Sequence, residues 1–137
     1  MSASIDNHHE SLVRDLTKLT GSWRFYYEHH VRGIKSPAMT TCMKLAEDYD
    51  VRMLLVREDE TIVLRDESDA REMVARMLEE ERDRHTYGSL KKHYADIGLN
   101  PRSVYGYTNH RKSCPRLRTF LTVATDLGYK CAWERAV

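Results

Sequence analysis

Shifted by 78 residues, the chain lies on itself without a gap, Ser11 to Val51 upon Ser89 to Tyr129. Ser11, Leu12, Arg24, Tyr27, Pro37, Thr41, Ala46 and Asp48 meet identical residues at Ser89, Leu90, Arg102, Tyr105, Pro115, Thr119, Ala124 and Asp126. Leu19, Met39, Met43 and Leu45 meet apolar partners at Ile97, Leu117, Leu121 and Val123. The matching apolar pattern, more than the identities, marks one unit built twice. With 137 residues, 41% of them hydrophobic and 31% charged, there is room for one compact domain or two very small ones packed together.

Each copy reads as three short helices. In the first, Leu12, Leu16 and Leu19 fall at helical spacing; Thr20-Gly21-Ser22 then breaks the helix, and Ser22 can cap the next, from Trp23 to Val31. Gly33 and Ser36-Pro37 end that helix, and Met39, Cys42, Met43, Ala46 and Tyr49 make the buried stripe of a third. In the second copy, Leu90, Tyr94 and Ile97 lead to Asn100-Pro101, an N-cap with proline in the first turn of a helix running to about Thr108. A basic turn, Asn109 to Pro115, precedes a last helix with Leu117, Phe120, Leu121, Ala124 and Leu127 inward.

Between the copies, Arg52 to Arg57 and Thr61 to Arg65 are β-rich runs around Glu58-Asp59-Glu60 and read as a hairpin. Asp69 to His85 reads as a helix with Met73, Val74 and Met77 on one face, opened by an Asp69-to-Glu72 capping box. A final strand is expected in Tyr129 to Glu134, joining the hairpin or pairing with another chain, since an isolated hairpin is marginal in water. The expected fold is mainly α with a small antiparallel β-sheet. Residues 8–51 form the first helical unit, 52–66 the hairpin, 67–129 a linker helix and the second unit, and 130–137 the C-terminal strand.

Two helices joined by a tight turn, the second with polar residues at its start, match a helix-turn-helix. The segment GSLKKHYADIGLNPRSVYGYTNHRKSCPRLRTFLTVATDLGY, Gly88 to Tyr129, resembles the helix-turn-helix domain of the phage-repressor and Cro-like family, especially its antitoxin-type members. SLVRDLTKLTGSWRFYYEHHVRGIKSPAMTTCMKLAEDYDV, Ser11 to Val51, is similar to the same family, with Thr20-Gly21 before the second helix. The first copy departs in having no obvious preceding helix, MSASIDN being too short, and the second carries one extra residue in its basic turn. The resemblance implies a sequence-specific, double-stranded-DNA-binding transcriptional regulator that represses by occluding a promoter. The alternative is an antitoxin-like or regulatory protein-binding module in which only one unit touches DNA.

A recognition helix meets base edges with its N-terminal part. The expected readers are Arg102, Ser103 and Gly106, with Asn100 capping, and Arg24 in the first copy, flanked by Ser22, Trp23, Phe25 and Tyr26, with His29 a turn later. An arginine at these positions could contact guanine O6 and N7 together. Tyr27 with His30, or Tyr26 with Val31, are the competing inward registers, and Tyr27 inward is favoured because it keeps Arg24 outward. Arg32, Lys35, Asn109, His110, Arg111 and Lys112 follow the helices and suit phosphates. The two readers are unlike, so one chain is expected to prefer an asymmetric site; a homodimer or protein partner could also form through the sheet.

Net charge is +1, but the charge is segregated. Glu58 to Asp83 is strongly acidic, whereas Leu99 to Thr125 has no carboxylate and carries Arg102, Arg111, Lys112, Arg116 and Arg118. That local positive potential suits phosphate. No nucleophile elbow, phosphate loop or metalloprotease motif is present, so catalysis is not expected, nor is a cofactor. The adjacent pairs His8-His9 and His29-His30 point to different sides of a helix, and no metal is expected. Cys42, Cys114 and Cys131 lack metal-knuckle spacing and read as free thiols. No apolar run is long enough for a bilayer, and MSASIDNHHES has no basic segment followed by an apolar one, so a cytoplasmic protein is expected.

Overall fold

Antiparallel pairing between the two copies organises the molecule. The structure, a computed structural model, describes residues 2–31, 36–86, 88–102, 104 and 114–136. In chain order it contains α1 (Ser2–Thr20), α2 (Trp23–Tyr26, running on into a π-helical turn Tyr27–Val31), α3 (Met39–Asp48), β1 (Val51–Arg57), β2 (Glu60–Leu64) and α4 (Glu67–Arg84). α5 (Ser89–Asp96), α6 (Leu117–Asp126) and β3 (Lys130–Arg135) follow among the described residues. Mainly helical with one three-stranded antiparallel sheet, order β2-β1-β3, it is the expected class. The C-terminal strand joins the hairpin, with β1 at the centre of the sheet.

The 78-residue repeat continues beyond position 51 through the strands. β1 and β3 are equivalent, and in their ladder Leu54 faces its own equivalent, Ala132. Met53 opposite Trp133 and Leu55 opposite Cys131 are then reciprocal pairs. A second bridge repeats the relation, Ala38 opposite its equivalent Arg116. Its hydrogen bonds are reciprocal: Met39 N–H donates to the Pro115 carbonyl at 2.9 Å and Leu117 N–H to the Pro37 carbonyl at 2.8 Å. A line through these two bridges is a pseudo-two-fold axis. The turns into the strands match as well, with a left-handed residue at the same place in each: Asp50, φ 53°, before β1 and Gly128, φ 92°, before β3.

Matching stripes from both copies fill the core across this axis. Leu12, Val13 and Leu16 of α1, Met39, Cys42, Met43 and Ala46 of α3, and Leu117, Phe120, Leu121 and Ala124 of α6 are all buried. Leu90 and Tyr94 of α5 and Met73, Val74 and Met77 of α4 are buried as expected. Tyr49, expected inward, is 52% exposed. α3 ends at Asp48 and turns sharply through Asp50 into β1, so the helical period that placed Tyr49 inside no longer holds there. All three cysteines are free and buried, and burial pushes the Cys131 thiol up to about 12.

The copies differ at their edges. Residues 2–7, read as too short for a preceding helix, are the opening of α1, which lies against the second copy: His8 Nε2 is 3.1 Å from the Cys131 carbonyl, Arg118 pairs with Asp6, and Arg135 donates to the Leu19 carbonyl. α4 starts at Glu67 rather than Asp69, because Asp66 is the cap: its carboxylate accepts from Asp69 N–H at 2.9 Å, and Asp69 reaches back to Arg65 N–H. The hairpin turn is Glu58-Asp59, with Glu58 at φ 51° and Glu60 already in β2. Arg57 fastens the insert to both copies, donating to Glu80 at 2.6 Å and to the Leu127 carbonyl at 3.1 Å beneath a 4.2 Å stack on Tyr129. Among the described residues no helix is long and apolar enough to cross a membrane.

If β3 is a structural member of the core, Trp133→Ala will cost about 3–5 kcal/mol, read as a lowered urea midpoint. Tyr49→Ser will stay within about 0.5 kcal/mol.

Candidate nucleic-acid interface

The first unit's geometry begins with a glycine. Gly21, φ 73°, takes the left-handed position after α1 and donates to the Thr17 carbonyl at 2.7 Å, which stops the helix. Ser22 then caps α2, its hydroxyl accepting from Phe25 N–H at 3.4 Å, as the sequence suggests.

The inward register of α2 is neither of the two expected. Phe25 is buried and His29, one turn on, packs against it with ring centroids 4.9 Å apart. Tyr27, expected inward, is 54% exposed. Phe25, expected to read DNA, is therefore a core residue and cannot reach a groove. Of the three neighbouring aromatics it is the one with no polar atom, so burying it leaves the tyrosine hydroxyls wet. Arg24 remains outward in this register too, its side chain 90% exposed.

The exposed face consists of Trp23, Arg24 and Tyr27, with Tyr26 half-buried and its ring edge-on to Trp23 at 5.5 Å. Trp23 is 74% exposed. Arg24 Nε donates to Glu28 Oε1 at 3.2 Å, an exposed pair one helical turn apart. Such a pair is worth a few tenths of a kcal/mol at most, roughly, so it yields readily to a phosphate or a base.

In the second unit, Asn100 Oδ1 accepts from Arg102 N–H at 3.0 Å and Val104 N–H donates to the Asn100 carbonyl, the expected cap. Arg102 is exposed at the position equivalent to Arg24. Val104 is buried, whereas its equivalent, Tyr26, is half-buried, so the two second helices differ in how they face the core. Ser103, Gly106, Asn109, His110, Arg111, Lys112, Arg32 and Lys35 lie outside the described residues. Two of the basic residues of the second copy are engaged within the molecule, Arg116 with the Ser36 carbonyl at 2.6 Å and Arg118 with Asp6. Of the histidine pairs, His8 and His9 turn to the Cys131 carbonyl and the Ser36 hydroxyl and do not converge.

Comparison with known protein families, curated proteins and solved structures finds no match to this chain. The division of α2 into a packed and an exposed side has a direct check: Phe25→Ala will lower the unfolding free energy by about 3–5 kcal/mol. Trp23→Ala will leave the denaturation midpoint essentially unchanged.

Proposed function

We propose that the chain is a DNA-binding regulator in which one polypeptide presents two unlike helix-turn-helix units, resembling phage-repressor and Cro-like regulators. The pseudo-two-fold relation between the copies carries this reading. Dimeric regulators of this architecture use a two-fold axis to place two recognition helices on successive turns of the major groove. Here the axis lies within one chain, through Leu54 opposite Ala132 and Ala38 opposite Arg116. Arg24 and Arg102, equivalent and both exposed, are the proposed base readers. Because their surroundings differ, the site should have two unlike halves. The role is binding rather than catalysis, in the cytoplasm, with repression as the mode that the resemblance suggests.

A second reading rests on Trp23 and Tyr27. Large exposed aromatics beside an arginine are the composition of protein-interface hot spots, so the first unit could hold a protein partner while the second touches DNA.

Selection of the purified chain against random duplex DNA tests both. The expected result is an enriched bipartite motif, bound about a thousandfold more weakly at about 200 mM than at about 50 mM salt if some six phosphates are engaged. Arg24→Ala and Arg102→Ala should each weaken binding, and Glu28→Gln should strengthen it by freeing Arg24. Loss through Arg102 alone favours the partner reading; no enrichment defeats DNA reading altogether.

A further inference from the structure

Sequence spacing gives little sign of a metal site, yet the fold gathers one set of ligand-type side chains at the end of α4. Glu81, on its last turn, and His85, the residue that caps it, stand four positions apart. The chain then turns back through Gly88, φ 92°, into α5, which brings His93 onto His85, the imidazoles stacked at 4.2 Å and 25°. Asp126, at the end of α6, closes the group, its carboxylate 2.7 Å from His93 Nε2.

Glu81 is the reason to look for a ligand here. Its side chain is wholly buried, and its side-chain partner is a second carboxylate, Asp126, which it can meet only by holding a proton. A buried carboxylate set against another carboxylate must take up a proton or a cation, and a bound ion is one of the few arrangements that answers it. The nitrogens are already close: His85 Nε2 lies 3.5 Å and His93 Nε2 3.7 Å from Glu81 Oε2, and the ligand atoms of all three residues fall within 4.8 Å of one another. In tetrahedral zinc sites, with bonds of about 2.0–2.1 Å, neighbouring donor atoms are roughly 3.3 Å apart. Reaching that arrangement takes a closing of up to about 1.5 Å and a turn of the two stacked imidazoles, so that their nitrogens converge on one point.

We propose that Glu81, His85 and His93 bind a divalent transition-metal ion, zinc above all, with Asp126 as the adjoining carboxylate. Two imidazoles with carboxylate oxygen suit zinc and its neighbours, whereas magnesium and calcium favour all-oxygen shells. Two carboxylates and two neutral imidazoles balance a divalent charge. The ion replaces the proton that His93 Nε2 shares with Asp126, and it fastens the insert helix α4 to α5 and α6, the helices that flank Arg102. The site stands independently of DNA binding.

The test is titration of the chelator-stripped full chain with Zn²⁺ by calorimetry, with Co²⁺ as the spectroscopic probe. The expected results are one tight equivalent, a raised melting temperature and the intense visible bands of four-coordinate cobalt. His93→Ala should weaken binding at least about 100-fold, as should His85→Ala, while His8→Ala leaves it unchanged. Glu81→Gln keeps the side-chain volume and takes away the negative charge that the ion requires, so the metal-free variant should melt no lower than the parent and show no rise with zinc. Affinity no tighter than millimolar, or one tight equivalent retained in both His85→Ala and His93→Ala, overturns the proposal; in the first case Glu81 and Asp126 share a proton instead.

Discussion

The antiparallel ladder between β1 and β3 is the contact on which the rest of the fold depends. It joins segments at opposite ends of the repeat pattern, residues 51–56 with 130–135, and so closes nearly the whole chain into one unit. Without it β1 and β2 are a lone hairpin, which is marginal in water, and the apolar stripes of α3 and α6 lose the frame that sets them against each other. Because Leu54 sits opposite its own equivalent, the ladder relates the strands β1 and β3 by a two-fold exchange. The reciprocal bonds at Ala38 and Arg116 fix a second point on the axis, and two points define its direction.

An internal axis has the geometric consequences of a dimer without a concentration dependence. A homodimer must present identical surfaces on its two sides. Two copies in one chain can diverge while the interface between them is preserved, and the divergence here is on the outside. The buried pairs across the axis remain apolar, Met39 with Leu117 and Met43 with Leu121, while at the starts of the second helices exposed Trp23 and Arg24 stand where the other copy has half-buried Pro101 and exposed Arg102.

The insert between the copies breaks the symmetry and carries most of the buried charge chemistry. Arg57 is clamped by Glu80 and the Tyr129 ring, and Glu80 is held below the usual carboxylate range by that guanidinium. One residue on in α4, Glu81 is in the opposite condition: burial, then the Asp126 carboxylate, push it well above the usual carboxylate range. Adjacent glutamates on one helix thus face two environments, one already supplied with a cation and one without.

What the sequence by itself determined was local. The repeat, the apolar stripes of α1, α3 and α6, the caps at Ser22 and Asn100, and the hairpin were all legible, because capping and periodicity act among residues a few positions apart. The same logic failed where two local solutions were nearly equal. Asp66 and Asp69 are both good caps, and three aromatics in a row offer several inward faces, so tertiary packing decided for Asp66 and Phe25. Only the tertiary structure could decide that β3 pairs with β1 about an axis, or that Glu81, His85, His93 and Asp126 meet. These depend on where helices separated by dozens of residues come to rest, and no spacing along one chain encodes that distance.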